Sequence, residues 1–343
     1  MSSKLLLNVA QGKMCEQTPI WLMRQAGRYL KEYQELKEKY TFLELCKTPS
    51  LAAQISLQPY HRFQMDGVIL FSDIMIPVEA MGMELDFNPG PVLQHPIKNV
   101  EDIQKLKNID PREDTPFVLE TLKILKQELS TTSATLIGFC GAPFTTASYM
   151  VSDFKQMIKC EPKTLHLLLD TLTETLIAYL RAQIDAGAEV VQIFDTNAAL
   201  LTSEEYMEFA YPYEKRMLED LKEDAPIILF VKGSQRFLER IKLLESSIVS
   251  IDHGMSLRNA REILGEGVVL QGNLSPEILQ SGTKEDIRQH TESILQDMQG
   301  QKHIFNLGHG VLKDTPADNV KYLVDIVREG GWHRRRGSIA RSS

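Results

Sequence analysis

The stretch PKTLHLLLDTLTETLIAYLRAQIDAGAEVVQIFD, residues 162–195, joins a helical pattern to a strand pattern. Over Lys163–Asp185 the leucines and isoleucines recur with the 3-4 spacing of one helix face. Pro162 suits the first turn, and Gly187 follows the last one. The residues Glu189–Asp195 then form an apolar run with no polar alternation, as in a parallel strand with both faces buried. One helix followed by one buried parallel strand is therefore predicted here.

Seven further runs have the composition of that strand. They are PIWLM (Pro19–Met23), GVILFSD (Gly67–Asp73), LIGFCG (Leu136–Gly141), PIILFVKG (Pro226–Gly233), SIVSID (Ser247–Asp252), VVLQGN (Val268–Asn273) and HIFNLGHG (His303–Gly310). Helical patterns fill the gaps, so strand and helix alternate eight times. We therefore predict an α/β fold, a single (β/α)8 TIM-type barrel over residues 1–343, in preference to an open doubly wound sheet.

The amino-acid composition of the chain argues against some classes of function. The chain has a net charge of −8 and a pI near 5.6, which argues against a general nucleic-acid surface. An acidic chain that binds an acidic ligand must concentrate its cations in the site. No apolar run approaches the roughly 20 residues that span a bilayer, so no membrane association is predicted. The basic end, residues 332–343, is expected to be a disordered, solvated tail.

Cysteine usage points to a reducing compartment. The cysteines are Cys15, Cys46, Cys140 and Cys160, without C-x-x-C or another metal-type spacing. A large chain with so few cysteines fits the cytoplasm, and no metal site is predicted.

In a barrel of this kind the active site lies at the carboxyl ends of the strands. Every predicted strand runs into polar side chains there: Arg24 and Arg28; Ser72 and Asp73; Thr145 and Tyr149; Asp195, Thr196 and Asn197; Lys232; Asp252 and His253; Gln271 and Asn273; Asn306 and His309. One or two of them are explained as helix caps or core residues. The complete set predicts a lined cavity.

Arg24 and Arg28 are a candidate anion site. If the segment after the first strand is helical, the i, i+4 spacing places both guanidiniums on one face. Gly27 between them permits a close backbone approach. Two forked cations suit carboxylate or phosphate recognition. The alternative is a pair of surface salt bridges to the glutamates of residues 32–38, and spacing alone does not separate the two.

Asp73 and His309 are the other candidates that stand out. Asp73 ends an apolar strand, so its carboxylate must find donors or its pKa rises. The alternative is a helix N-cap, which Pro77 disfavours slightly. His309 lies between Gly308 and Gly310, which leave room for the imidazole to meet a ligand, although a lone histidine is more often structural. Phosphate-loop, nucleophile-elbow and H-E-x-x-H motifs are absent from the sequence.

Five segments resemble the uroporphyrinogen decarboxylase family. They are PIWLMRQAGRYL (Pro19–Leu30), FSDIMIPVEAMGM (Phe71–Met83), GFCGAPFTTASYM (Gly138–Met150), QGNLSPEIL (Gln271–Leu279) and FNLGHGV (Phe305–Val311). They occur in family order over nearly the whole chain. MRQAGRYL and GAPFT are the most specific of these motifs.

The resemblance implies a cofactor-free barrel enzyme, usually a homodimer, that converts uroporphyrinogen III to coproporphyrinogen III in haem biosynthesis. It also implies roles for individual positions. The substrate cleft would be lined by Arg24, Gln25, Ala26, Gly27, Arg28, Asp73, Tyr149, Thr196 and His309. Among these, Asp73 would hydrogen-bond the pyrrole N–H groups, the arginines would hold carboxylates, and Asp73 and Arg24 would be the catalytic pair.

Some positions depart from the family pattern. Lys37 stands where an arginine is common, Thr196 replaces a serine, Ala199 replaces a glycine, and His253 interrupts a D-W-T pattern. Lys37, Thr196 and His253 motivate one alternative, a tetrapyrrole-binding protein that has lost turnover. The other alternative is a zinc methyltransferase of the same barrel superfamily, which the lack of any cysteine after Cys160 disfavours.

Overall fold

The computed structural model describes residues 4–87 and 90–339, with side chains described as far as residue 330. Seven parallel strands form one sheet in the order β1-β4-β5-β6-β7-β8-β9. These are β1 (Gly67–Ile69), β4 (Thr135–Gly141), β5 (Val190–Asp195), β6 (Ile227–Val231), β7 (Ile248–Ser250), β8 (Val269–Leu274) and β9 (His303–Leu307). A separate antiparallel hairpin consists of β2 (Leu85–Phe87) and β3 (Pro91–Leu93).

Helices connect the strands and surround the sheet. Those before β4 are α1 (Leu5–Ala10), α2 (Lys31–Lys37), α3 (Phe42–Lys47), α4 (Pro49–Phe63), α5 (Ile76–Ala80), α6 (Val100–Gln104), α7 (Pro111–Asp114) and α8 (Pro116–Glu128). Between β4 and β6 lie α9 (Pro143–Met150), α10 (Phe154–Cys160), α11 (Pro162–Ala186), α12 (Ser203–Phe209) and α13 (Tyr211–Leu221). The remainder are α14 (Leu238–Ile241), α15 (Leu257–Leu264), α16 (Pro276–Ser281), α17 (Lys284–Asp297) and α18 (Ala317–Ile339).

The first predicted strand, Pro19–Met23, occurs only as an isolated bridge, and that bridge closes the barrel. Ile20 pairs in parallel with Phe305 of β9, and the Phe305 amide donates to the Pro19 carbonyl oxygen at 2.8 Å. On the other side, the Asp66 amide before β1 donates to the Ile20 carbonyl oxygen at 2.9 Å. The segment therefore occupies the eighth strand position. The predicted (β/α)8 barrel is confirmed, with one strand reduced to a bridge.

In this segment, side chains accept hydrogen bonds that the backbone of a neighbouring strand would otherwise accept. The Ile20 amide donates to the Asp66 carboxylate at 2.8 Å, and the Met23 amide donates to Asn306 Oδ1 at 2.9 Å. Trp21 is fully buried, and its indole N–H donates to Gln271 Oε1 at 2.9 Å. Because these amides are satisfied by side chains, the segment need not adopt a regular strand.

The long helix within residues 162–195 agrees with its pattern. The helix α11 begins at Pro162 and ends at Ala186, and Gly187 follows with a φ of +128°. Its leucines at 165, 168, 169, 172 and 176 are fully buried. A capping box opens the next long connection, since the Thr202 hydroxyl accepts from the Glu205 amide and the Glu205 carboxylate accepts from the Thr202 amide.

The end of the chain is only partly described. The backbone of α18 is helical as far as Ile339. The side chains from residue 331 onward and residues 340–343 lie outside the described part of the chain. The disordered tail expected over residues 332–343 therefore stays a prediction.

Candidate active site

A cavity of about 1020 Å³ opens at the carboxyl ends of β1, β4, β5, β6 and β9. This volume is at the upper end of the range for small-molecule sites. Of the nine substrate-cleft residues predicted from the sequence, eight line it: Arg24, Ala26, Gly27, Arg28, Asp73, Tyr149, Thr196 and His309. The cavity therefore brings together residues from opposite ends of the chain.

Gln25 is the exception. Its side chain is fully buried and lies outside the cavity lining. Its Oε1 accepts from the Leu22 amide at 3.0 Å, and its Nε2 donates to the Gly67 carbonyl oxygen at 2.9 Å. Gln25 therefore fixes the loop to β1 and does not line the cavity, and its predicted role in substrate binding stays a prediction. Its amide is already satisfied by two backbone groups, which is why it points inward.

The segment from Arg24 to Arg28 is a loop, so the helical reading of its spacing is wrong. Arg24 has a φ of +59°, in the left-handed region that L-residues seldom occupy. The cause lies just before it, where the Met23 amide is held by Asn306 and the Met23 carbonyl oxygen accepts from the Val311 amide at 2.8 Å. The backbone must turn sharply after this fixed point, and Arg24 makes that turn.

Both arginines are exposed to the cavity and unpaired. Among the described residues, no carboxylate lies within 4.0 Å of either guanidinium. The glutamate nearest in sequence, Glu32, pairs with Arg62 at 2.8 Å instead. The alternative reading as surface salt bridges is therefore wrong, and two cations remain available for an anionic ligand.

Asp73 is half-buried in the cavity wall. Its Oδ1 accepts from the Met75 amide at 2.9 Å. Burial raises the pKa of this carboxyl, while the Met75 amide and the Arg24 charge oppose that rise without cancelling it. Arg24 therefore favours the ionised form of Asp73, but burial is the stronger effect.

His309 is a neutral imidazole near pH 7. Burial, together with the charges of Arg24, Lys232 and His253, lowers its pKa to about 4. Its ring meets Phe230 edge-on, with 6.0 Å between centroids. A neutral imidazole can donate one hydrogen bond and accept another, so His309 can contact either polar group of a ligand.

The glycines around His309 have a different purpose from the one the sequence suggests. A Cβ on Gly310 would lie 2.4 Å from Cδ of Arg24, and a Cβ on Gly308 would lie 2.2 Å from the backbone nitrogen of His253. The G-H-G motif therefore makes room for the Arg24 side chain and for a neighbouring backbone. Space for the imidazole is not what the glycines provide.

Tyr149 and Thr196 lie on the same wall. Tyr149 is on α9 with 39% of its surface exposed, and Thr196 follows β5 and is half-buried. Two of the four departures from the family pattern, Ala199 and His253, do not line the cavity, whereas Lys37 and Thr196 do.

Several predicted rim residues hold strand ends together instead of lining the cavity. Asp252 accepts from the Gly233 amide at 2.5 Å and the Gly254 amide at 3.0 Å. Asn273 Nδ2 donates to the carbonyl oxygens of Asp252 and Met255. The prediction that polar groups line the cavity at every strand end is wrong for these residues, because buried backbone groups require partners.

Sequence reasoning missed the outer half of the site. Aromatic rings of Tyr33, Phe42, Phe71 and Phe87 form a contact chain on the cavity wall, with centroids 4.7 to 5.8 Å apart. Lys37, Lys39 and Lys313 add cations at the mouth. Lys37 ends α2 and the other two lysines lie in loops, and nothing in their charge-rich surroundings separates them from solvated surface residues.

The described residues contain neither a metal-type cluster nor a membrane-spanning helix. Over residues 4–87 and 90–339, no cluster of three or more histidine, cysteine, aspartate or glutamate side chains has metal-binding geometry. Within the same ranges, no helix has the length and apolar character that crossing a bilayer requires.

The barrel and its cavity define a (β/α)8 enzyme with unpaired arginines and a half-buried aspartate in one large site. A family model described as uroporphyrinogen decarboxylase (URO-D) matches residues 1–330. The uroporphyrinogen decarboxylase of Syntrophotalea carbinolica is 44% identical over 331 residues, covering 94% of this chain and 96% of the relative. That of Geobacter sulfurreducens is 43% identical, covering 94% and 97%. The chain belongs to the uroporphyrinogen decarboxylase family.

Solved structures support the fold. A methyltransferase from Methanosarcina mazei superposes with a TM-score of 0.80 at 24% identity, covering 94% of this chain and 97% of that one. A B12-independent methionine synthase from Shewanella sp. W3-18-1 gives 0.58 at 13% identity, covering 94% and 96%. At these identities the similarity concerns the barrel alone.

Proposed function

We propose that the chain removes the carboxyl groups from the four acetate side chains of uroporphyrinogen III, giving coproporphyrinogen III in haem biosynthesis. The observation that supports this best is the meeting of Arg24, Arg28 and Asp73 in one cavity. Unpaired guanidiniums suit the substrate carboxylates, and a carboxylate suits its pyrrole N–H groups. The large volume and the aromatic wall suit a macrocycle.

The reaction needs a place for the electrons left by CO2. Protonation of the pyrrole ring next to the acetate provides one, because the cationic ring accepts the electron pair as the carbon–carbon bond breaks. A proton then adds to the exocyclic carbon and the added ring proton leaves, so each CO2 is replaced by one proton and a methyl group results. Ionised Asp73, half-buried in the cavity wall, stabilises that positive charge. The substrate's own ring is the electron sink, so we propose that no cofactor takes part.

Arg24 has the second catalytic role. The charge of Arg24 opposes the rise in the pKa of Asp73 and helps to lower the pKa of His309, so Arg24 acts on both groups. We assign it the orientation of the reacting carboxylate. Arg24 is also the proton-donor candidate that the family resemblance suggests, although a guanidinium is a weak acid.

The other substrate contacts are assigned from where each residue lies in the cavity lining. Arg28 and Lys37 bind outlying carboxylates, while Ala26 and Gly27 let the macrocycle approach the loop backbone. Tyr149, Thr196 and His309 contact the substrate rim with neutral hydrogen-bonding groups. Gln25 contributes by holding the loop in place.

We also propose that the protein works in the cytoplasm as a homodimer. Family membership and the small number of cysteines support this. Sedimentation equilibrium of the purified chain tests the dimer, and a single species at monomer mass would contradict it.

The function is tested with purified, metal-stripped protein and enzymatically generated uroporphyrinogen under anaerobic reducing conditions. Products are oxidised to porphyrins and separated by their number of carboxyl groups. We expect a stepwise series ending at the four-carboxyl product, and strong impairment in Asp73→Asn. Tight tetrapyrrole binding without CO2 release would instead identify a binding protein that has lost turnover.

A further inference from the structure

Two carboxyl groups meet behind the cavity wall with no cation beside them. Asp195 ends β5 and Glu214 is on α13, and both side chains are completely buried. Among the described residues, no lysine, arginine or histidine lies within 4.0 Å of either carboxylate. An isolated buried charge is costly, and two adjacent ones are more so.

The hydrogen bonds leave one oxygen of each carboxyl without a donor. The Thr145 hydroxyl donates to Asp195 Oδ1, and the Tyr206 hydroxyl donates to Glu214 Oε2 at 2.5 Å. Asp195 Oδ2 and Glu214 Oε1 are buried and have no hydrogen-bond partner among the described residues, and each carboxyl acts on the pKa of the other. A proton shared between the two carboxyls would supply the donor that both oxygens lack.

The pair is connected to the cavity through one hydroxyl. Thr145, on α9, also accepts from the Asn197 amide at 2.8 Å, and Asn197 Nδ2 donates to the Ser148 hydroxyl at 2.6 Å. These bonds join α9, which carries Tyr149, to the turn that carries Thr196. Both of those residues line the cavity.

We propose that Asp195 and Glu214 form a buried acid pair that holds one shared proton, and that this pair positions the cavity wall at Tyr149 and Thr196. Asp195 and Glu214 are positioning residues, since neither lines the cavity. Burial raises the pKa of both carboxyls, in keeping with a proton retained at neutral pH. The inference that the pair positions Tyr149 and Thr196 rests on the proposed function, whereas the inference of a shared proton does not.

The first test compares the wild type with Glu214→Gln. The glutamine amide can donate to Asp195 Oδ2 and its oxygen can accept from Tyr206, so the fold is retained without the proton. A group with a raised pKa in the folded state destabilises the fold as pH increases. From pH 5 to 7, the unfolding constant of the wild type should therefore rise about tenfold per pH unit relative to the variant.

Asp73 is present in both proteins, so its titration cancels in this ratio. Glu219→Gln, on the exposed face of α13, is the matched control and should show a constant ratio to the wild type. Infrared spectra at pH 7 provide the second readout, where a protonated-carboxyl band should be present in the wild type and reduced in Glu214→Gln. A pH-independent ratio with an unchanged band overturns the shared proton.

The second test concerns positioning. Thr145→Val keeps the volume but removes the hydroxyl that joins Asp195 to Asn197, and Thr145→Ser restores it. We expect kcat/KM for uroporphyrinogen to fall at least about tenfold in the valine variant and to recover in the serine variant. Equal kcat/KM in all three proteins overturns the positioning role. An inactive wild type with the expected unfolding ratio would contradict the proposed function and leave the acid pair standing.

Discussion

Asp73, which we propose acts in its charged form, lies where burial disfavours that charge. Because burial raises its pKa, the ionised fraction increases with pH over a range above that of an ordinary aspartate. We expect kcat/KM to rise through that range. In Asp73→Asn this rise should disappear, and kcat/KM should be lower by about 100- to 1,000-fold at neutral pH.

The measurement is a pH profile of kcat/KM for both proteins, with circular dichroism to verify folding at each pH. An Asp73→Asn variant with the same acid limb as the wild type would show that another group is responsible for it. Asp73→Glu retains the charge and moves it by one methylene. We therefore expect kcat/KM of this variant to rise with pH as in the wild type, but to be lower at every pH.

Gly308 and Gly310 allow the effects of one added methyl group to be compared at neighbouring positions. In Gly310→Ala the new Cβ displaces the flexible Arg24 side chain, so KM should rise about tenfold with little change in stability. In Gly308→Ala the Cβ meets the His253 backbone, which cannot move away cheaply. That variant should lose about 1–3 kcal/mol of unfolding free energy.

Urea unfolding and steady-state kinetics on both variants check this contrast. Each alanine is the control for the other, because both lie in the same loop. If Gly310→Ala were as destabilised as Gly308→Ala with an unchanged KM, the loop would be under general packing strain and Arg24 would not be the contact that matters.

Among the elements, the bridge at Ile20 connects the two ends of the sheet, and the buried Trp21–Gln271 hydrogen bond reinforces it. We predict a coupling energy of about 1 kcal/mol between these two side chains. A double-mutant cycle with Trp21→Phe, Gln271→Met and the double variant, measured by urea unfolding, isolates it. Strictly additive effects would show that the indole N–H contributes nothing to closing the barrel.

The loop after that bridge shows where local pattern reasoning fails at this scale. The i, i+4 spacing of Arg24 and Arg28 fits a helix, yet the segment turns because Met23 is held at both its amide and its carbonyl oxygen. Its partners, Asn306 and Val311, are nearly the full chain length away. Tertiary hydrogen bonds of this kind override local preference and leave no trace in a short window of sequence.

For the whole molecule, charge is distributed unevenly. The chain carries a net charge of −8, whereas Arg24, Arg28, Lys37, Lys39 and Lys313 face one cavity. Salt screens exposed charges strongly. We expect KM for uroporphyrinogen to rise about tenfold from 50 to 500 mM NaCl, and less steeply in a Lys39→Gln/Lys313→Gln double variant.

A partly decarboxylated substrate is the control, since fewer carboxylates should give a shallower salt dependence in the wild type. If KM rose equally with NaCl concentration for both substrates, salt would be acting on the protein itself and not on the attraction between the cavity and its ligand.

The fold was largely predictable because buried parallel strands and long amphipathic helices have strong local patterns. Seven of the eight strand predictions agree with observed strands, within a few residues at each end. The exception, Pro19–Met23, has its amides satisfied by the side chains of Asp66 and Asn306, a solution that only the folded chain reveals.

Of the predicted substrate-cleft residues, those carried by specific motifs reached the cavity, apart from Gln25. The aromatic wall and the rim lysines were not predicted, because hydrophobic and lysine side chains are common everywhere and only their convergence distinguishes them. The pairing of Asp195 with Glu214 could not be predicted either, because a glutamate within an amphipathic helix has the sequence pattern of a surface residue.

The bridge between Ile20 and Phe305 also bears on how the protein is made. The ribosome synthesises Ile20 long before Phe305, so the arginine loop next to Ile20 has no fixed position until β9 has emerged. Non-local contacts of this kind form late. The nascent chain therefore orders this loop only after β9 is made, and a truncated product lacking β9 would retain most of the strands without a fixed arginine loop.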